Sequence, residues 1–340
     1  MRFHTTWALH DASQVGEARR AATILAESLG LDATTTGRVA LVATELGTNL
    51  VRHARGGRLL LCATRTAHGT PQVELLSLDD GPGMGNVAAS MADGFSTGGT
   101  PGNGLGAVRR MSDQFDLYSQ PGQGTVVLAR IGQPLAGDTL RQLPRPRFAT
   151  GGVAVCAPGE AVCGDAWAVH QNEETAAVLV ADGLGHGPDA AEAANAAVAL
   201  FDARPFAPPT QVLEGVHTGL RATRGAAVAM AHADAARGTV QFAGMGNISG
   251  RLLWGTGDRS LLSQHGTAGV QVRKVQAMDY DWPEHALLVL HSDGIATRWT
   301  LDDAPGLLRH PPTTIAAWLL RSHIRGKDDA SVVVVRREES

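Results

Sequence analysis

Only three cysteines occur in the 340 residues, Cys62, Cys156 and Cys163, and no two of them form a Cys-x-x-Cys pair. An odd, scattered set suggests neither a disulfide framework nor a thiolate zinc motif. Apolar runs are short as well. None approaches the roughly 18 to 20 residues that span a bilayer. The start, Met1-Arg2-Phe3-His4-Thr5-Thr6-Trp7, lacks the apolar core of a secretion signal, so a cytoplasmic location is expected. Positive charge is not in excess: the formal net charge is −4, which gives no global attraction for nucleic acid or an acidic membrane, and neither is expected as a partner. The 41 glycines follow no three-residue period, and 44% apolar against 18% charged residues excludes a disordered chain. What remains is a globular chain long enough for two domains.

The seam lies at 133–147, where three prolines and four charges break any helical or strand period. Apolar, β-branched runs flank it, Thr125–Ile131 before and Gly152–Cys156 after, and each reads as a strand. The expected domains are therefore 1–132 and 148–340.

In the first half, apolar residues recur at helical spacing over Gln14–Leu29 and Thr36–Ala54, the second placing Val39, Val42, Leu46, Leu50 and Ala54 on one stripe. Glu45 and Asn49 sit one turn apart on that helix, with His53 continuing the row. A carboxylate and an amide oxygen so placed can face a hard cation and its phosphates, although a solvated helix face has the same pattern. A strand over Gln72–Leu78 ends at Asp79-Asp80-Gly81-Pro82-Gly83, where one carboxylate can point into a pocket beside permissive glycines. Then come Gly98-Gly99-Thr100-Pro101-Gly102-Asn103-Gly104-Leu105-Gly106, a helix over Ala107–Ser112, and a third turn, Gly122-Gln123-Gly124-Thr125. Backbone N–H groups at a helix start suit phosphate oxygens.

In this order the pieces resemble the ATP-binding fold of gyrase, heat-shock chaperones and histidine kinases, over roughly residues 10–131. Within it they resemble the anti-sigma-factor serine kinases of the RsbT-like kind. The resemblance implies an α/β sandwich, read as a mixed sheet with helices on one face, that binds ATP with Mg²⁺. It implies that Asn49 holds Mg²⁺ and Glu45 polarises the attacking serine hydroxyl. Asp79 would accept from the adenine amino group, with Gly81 and Gly83 beneath the base and Thr125 behind it. Gly102, Gly104 and Gly106 would wrap the phosphates.

The second half sets aspartates at the ends of apolar runs: Gly164-Asp165, Asp182-Gly183-Leu184-Gly185-His186-Gly187, Ser292-Asp293-Gly294 and Lys327-Asp328-Asp329. A lone Asp-Gly is a turn signal. Four of them delivered to one end of a sheet repel each other unless cations neutralise them, and an all-oxygen set suits Mg²⁺ or Mn²⁺. His186 could face a phosphate or cap the following helix Pro188–Leu200, and His291 reads as strand interior. Arg109 and Arg110 read as a solvated helix face, and Cys156 and Cys163 as buried thiols flanking a turn.

The strings resemble the metal-dependent serine/threonine phosphatases of the SpoIIE type over roughly residues 148–337. Ala222-Thr223-Arg224-Gly225-Ala226-Ala227 and Gly244-Met245-Gly246-Asn247 narrow this to the RsbX-like branch. The resemblance implies an α-β-β-α sandwich and two Mn²⁺ or Mg²⁺ ions held by Asp165, Asp182, Asp293 and Asp328 with the Gly183 carbonyl, Asp182 being central to catalysis. Asp329 is the adjacent candidate, and the residue that recognises substrate phosphate is unassigned. Together the halves imply a two-domain α/β protein that adds and removes phosphate on serines or threonines of stress-signalling regulators, with anti-sigma-antagonist or stressosome-type proteins as substrates. The alternative is a phosphatase whose first half is a nucleotide-binding regulator or docking module. The oligomeric state, a homodimer included, is left open.

Overall fold

The computed structural model describes residues 3–54, 57–66, 69–91, 104–133, 147–255 and 257–338. By contact the chain divides into two units. One comprises His4–Gln142 with Ala304–His310; the other comprises Leu143–Asp303 with Pro311–Ser340 and Met1–Phe3. Among the described residues no helix is long and apolar enough to cross a membrane.

The first unit runs β1 (Thr5–Ala8), α1 (Ala12–Ser28), α2 (Ala33–His53), β2 (Gly57–Arg65), β3 (Pro71–Asp79), α3 (Val87–Ser90), α4 (Gly104–Met111), β4 (Gln114–Gln120) and β5 (Gly124–Gly132). Local chemistry sets the helix starts. Asp11 caps α1 in a capping box with Gln14, and the Asp32 carboxylate accepts the Thr35 N–H at 2.7 Å to cap α2. The stripe Val39, Val42, Leu46 and Leu50 is buried against Leu59, Leu61, Val73 and Val127 of the sheet, while Ala54 falls just past the helix end. The sheet has the order β1-β2-β3-β5-β4. The expected mixed sheet is corrected: each of its pairings is antiparallel. β2–β3 and β4–β5 are hairpins, and the long excursion between β3 and β4 returns β5 antiparallel to β3.

The second unit begins with β6 (Phe148–Val155), β7 (Asp165–Gln171), β8 (Thr175–Gly183), α5 (Pro188–Asp202) and α6 (Pro209–Gly219). It continues with β9 (Ala226–Asp234), β10 (Thr239–Met245), β11 (Ser249–Trp254), β12 (Gly257–Leu261), β13 (Gly266–Thr267), β14 (Gln271–Val272), β15 (Met278–Asp281) and β16 (Leu287–His291). The last elements are α7 (Pro312–His323) and β17 (Ala330–Arg337).

Two five-stranded sheets, β15-β10-β9-β8-β7 and β12-β11-β16-β17-β6, pack face to face. Strand alternation assigns the layers. Val178 and Val180 of β8 enter the core between sheets with Phe242, Leu288 and Val333, whereas Leu179 and Ala181 pack under α5 and α6 with Phe201 and Leu213. Helix α7 covers β6 and β17 on the outer face of the second sheet. This is the α-β-β-α sandwich, and it brings the starts or ends of β7, β8, β16 and β17 to one edge.

Candidate nucleotide pocket and aspartate cluster

In the first unit a cavity of about 470 Å³ is lined by Glu45, Asn49, Asp79, Gly83, Gly104 and Thr125, together with His53, Arg52, Met84 and Asn86. That volume lies within the usual range for small-molecule sites. The helical stripe explains the first pair: with Leu46 and Leu50 buried, Glu45 and Asn49 fall on the flank that faces the cavity. Both approach the start of α4, because a Cβ at Gly104 would lie 3.4 Å from Glu45 Oε2 and 3.6 Å from Asn49 Oδ1. Asp79 ends β3 directly opposite Thr125 of β5, and its Oδ1 accepts the Gly81 N–H at 2.8 Å. Gly83 has φ +65°, and a Cβ there would sit 1.9 Å from the Gln120 carbonyl oxygen, so only glycine fits.

Two expectations change. Helix α4 begins at Gly104, not Ala107, so Gly104 and the buried Gly106 occupy its first turn, where backbone N–H groups have no intrahelical partner. Gly106 does not line the cavity, and Gly81 borders it through Asp79. Gly102 lies outside the described residues. Sequence reasoning missed Ser119, whose hydroxyl meets Thr125 Oγ1 at 2.9 Å and accepts the Met84 N–H at 2.8 Å. Only the β4–β5 register brings it there.

In the second unit Asp165 opens β7 opposite Asp182, the penultimate residue of β8. Gly183 follows because α5 crosses close by: a Cβ there would sit 2.0 Å from the Ala190 carbonyl oxygen. The second sheet contributes Asp293 just after β16, and Asp328 and Asp329 just before β17. Ser292 joins the sheets. Its hydroxyl donates to Asp165 Oδ2 at 2.6 Å and accepts the Ser331 N–H at 3.0 Å. Asn247 donates to Asp293 Oδ2 at 2.6 Å. Both neighbours carry polar side chains with no spacing signal of their own; Asn247 served in the sequence only as a mark of resemblance.

The electrostatics show how little neutralises this cluster. Burial, followed by the charges of Asp165, Asp293, Asp328 and Asp329, pushes Asp182 up to about 9. Burial pushes Asp165 up to about 7 against the hydrogen bond from Ser292, with Asp329 and Asp328 adding to the rise. Burial also raises Asp329. The Ser331 hydroxyl is near enough to favour ionised Asp165, yet neither it nor Asp165 Oδ1 makes a well-formed hydrogen bond among the described residues. A buried carboxylate oxygen without a donor, in an all-oxygen set of like charges, fits hard divalent cations.

Other candidates resolve by contact. His186 is exposed and meets Glu160 at 2.6 Å, so it does not cap α5. His291 is buried and its pKa is pushed down to about 4, chiefly by burial. It accepts the Trp299 indole N–H at Nε2, which leaves Nδ1–H to donate to the Ser292 carbonyl at 2.8 Å. Arg109 and Arg110 are exposed on α4.

A family model described as Histidine kinase-like ATPase domain matches residues 8–131, and one described as Stage II sporulation protein E (SpoIIE) matches residues 172–338. The serine/threonine-protein kinase RsbT of Bacillus subtilis (strain 168) is 31% identical over 129 residues, spanning 38% of this chain and 92% of that protein. A chain from a solved structure of the bacterial stressosome is 29% identical with a TM-score of 0.53, covering 56% of this chain and 99% of its own. A crystal structure of RsbX in complex with magnesium is 18% identical with a TM-score of 0.49, covering 57% and 97%. The nucleotide-pocket elements and, apart from Asp165, the aspartate-bearing strand ends fall in separately matched segments, and the chain belongs to the RsbT family of histidine kinase-like ATPase domains, joined in one polypeptide to a SpoIIE phosphatase domain.

Proposed function

We propose that the chain adds and removes phosphate on serine or threonine residues of stress-response or sigma-factor regulators, of the anti-sigma-antagonist or stressosome type. Residues 1–132 would be an ATP-dependent serine kinase and residues 148–340 a metal-dependent phosphatase. The observation that carries the phosphatase reading is the convergence of Asp165, Asp182, Asp293 and Asp328 from two sheets around a carboxylate oxygen that has no donor among the described residues.

In the phosphatase, Asp165, Asp182, Asp293 and Asp328 with the Gly183 carbonyl would hold two Mn²⁺ or Mg²⁺ ions. When bound, such ions polarise a phosphoryl group and the water that attacks it. The chain's own contribution is placement. Ser292 fixes one oxygen of Asp165 and leaves the other for a ligand, and Asn247 does the same for Asp293.

Phosphate recognition we assign to Arg224. The N–H of Leu184 donates to the Gly225 carbonyl at 3.0 Å, which ties the Arg224 loop to the end of β8. Arg224 is half-exposed and pairs with the exposed Asp189 at 2.6 Å. An exposed pair of this kind opens at little cost, and a guanidinium suits a phosphate dianion.

In the kinase domain, Asn49 would face the Mg²⁺ of bound ATP, and Asp79 with Gly81 and Gly83 would hold the adenine, with Thr125 behind it. Gly102 and Gly104 would line the phosphates, with Gly106 buried behind them in the first turn of α4. Glu45 would take the proton of the attacking hydroxyl, one turn from Asn49 and beside the start of α4.

The test follows serine phosphorylation of candidate regulators by mass spectrometry with ATP and Mg²⁺. Phosphate should accumulate with Asp182→Ala and vanish with Glu45→Ala. If no variant adds phosphate while the unmutated chain removes it from a phosphorylated target, the first domain is a nucleotide-binding regulator and only the phosphatase is an enzyme.

A further inference from the structure

Six residues separate Cys156 from Cys163, and that spacing matches no thiolate motif. The fold nevertheless brings them together. β6 ends at Val155 and β7 starts at Asp165, so the segment between doubles back and places both thiols beside the start of β17. One ligand atom each from Cys156, Cys163 and Asp329 lies within 4.8 Å of the other two.

We propose that Cys156, Cys163 and Asp329 form a second cation site, specific for a thiophilic divalent ion of the Zn²⁺ class and separate in chemistry from the aspartate cluster. Asp329 is 3% exposed; its Oδ1 accepts the Ala157 N–H at 2.9 Å, whereas Oδ2 has no hydrogen-bond partner among the described residues. The Cys163 thiol and the Gly164 N–H lie near that carboxylate without forming a well-made bond to Oδ2. A buried carboxylate oxygen facing two sulfurs has the donor set of a soft or borderline cation.

The size also fits. Sulfurs on one tetrahedral Zn²⁺ stand about 3.8 Å apart, given Zn–S bonds of about 2.3 Å, and carboxylate bonds are only slightly shorter. Cys163 is buried against the Val155 carbonyl at 3.4 Å, while Cys156 is half-buried and provides the route in. On binding, each thiol gives its proton to solvent and its sulfur lone pair to the ion, with no change of oxidation state. Three protein ligands leave a fourth tetrahedral position for water.

The site also reaches its neighbour. Asp329 donates its backbone N–H to Asp328 Oδ1 at 2.9 Å, so a cation that orders Asp329 orders Asp328 too. That consequence rests on the phosphatase reading; the site itself does not.

The experiment uses the full chain, reduced and stripped of metal, titrated with Co²⁺ and separately with Cd²⁺. Sulfur-to-metal charge-transfer absorption is the readout, since oxygen ligands alone do not produce it. The band should saturate at a stoichiometric amount of ion, persist in Asp182→Ala, and disappear in Cys156→Ala. The half-buried position of Cys156 makes that variant the milder substitution, and its fold is checked by circular dichroism; Asp329→Asn, which keeps the size of the side chain, should weaken binding at least tenfold. Absence of the band in the unmutated chain overturns the proposal. So does a band unchanged in Cys156→Ala, or one lost in Asp182→Ala, which would mean that the sulfurs and the aspartate cluster share one ion and the site is not separate. None of these readouts needs catalysis, so failure here leaves the proposed phosphatase activity standing.

Discussion

Glu74 in the first unit and Asp182 in the second are both acidic residues on strands, and the protein treats them in opposite ways. Burial alone would raise Glu74, but the Arg130 guanidinium at 2.5 Å and His4 at 2.9 Å outweigh it and hold the carboxyl down at about 2. Asp182 is half-buried among other aspartates, and desolvation with their charges pushes it up to about 9. The chain thus supplies its own counter-charge where a carboxylate is structural, and withholds it where four strand ends converge. An uncompensated cluster is a standing cost to folding, and it makes sense where an external cation completes the set.

The sharpest way to break this comparison is Asp182→Asn. Phosphoserine hydrolysis should fall by more than the roughly 10- to 100-fold expected from losing an outer-shell contact. With metal chelated, the same variant should melt at a higher temperature than the unmutated chain near neutral pH, because the fold no longer has to hold Asp182 protonated against its unfolded preference. A lower melting temperature would mean that Asp182 is structural after all.

Removing the counter-charge from Glu74 should do the reverse. Arg130→Met leaves a buried carboxylate short of its main partner and should cost about 3 kcal/mol in urea unfolding. The two regions should also answer oppositely to pH. Glu74 ionises more readily folded than unfolded, so its contribution, about 3 kcal/mol, is present above pH 4.5 and is lost as pH falls toward about 2. Asp165 and Asp182 ionise less readily folded than unfolded, so the chelated chain should lose stability as pH rises from 3.8 toward about 9, and Mn²⁺ should reverse the loss. Calorimetry across pH with and without Mn²⁺ reads both slopes; slopes of one sign would break the comparison.

Ser292→Ala should weaken Mn²⁺ affinity by about 10- to 100-fold by freeing Asp165, with little effect on the fold. The smallest effect is at Arg224. Arg224→Ala should raise KM for a phosphopeptide about tenfold while leaving Mn²⁺ affinity unchanged, consistent with one charge-assisted hydrogen bond to substrate.

Much of the candidate nucleotide pocket was legible because it is local. The helical period put Glu45 and Asn49 on one flank, and a strand followed by Asp79 and the Gly81-Pro82-Gly83 turn predicts a loop beside a pocket. Helix α4 starts three residues before the sequence pattern suggests, since glycines read as loop by propensity while the N-terminal turn of a helix tolerates them. The aspartates were legible as residues but not as a cluster: nothing along the chain says that Asp165 pairs with Asp182, or that Ser292 crosses from one sheet to the other.

The sequence by itself determined the long helices of the first unit, the strands that flank the pocket and the residue types at each strand end, because periodicity, capping and turn preference act over a few neighbours. Only the tertiary structure decided that the first sheet is wholly antiparallel, that Glu74 is neutralised while Asp182 is not, and that Cys156 meets Cys163 and Asp329. Those outcomes depend on strand register and on contacts between residues far apart in the chain, and a local pattern carries no information about either.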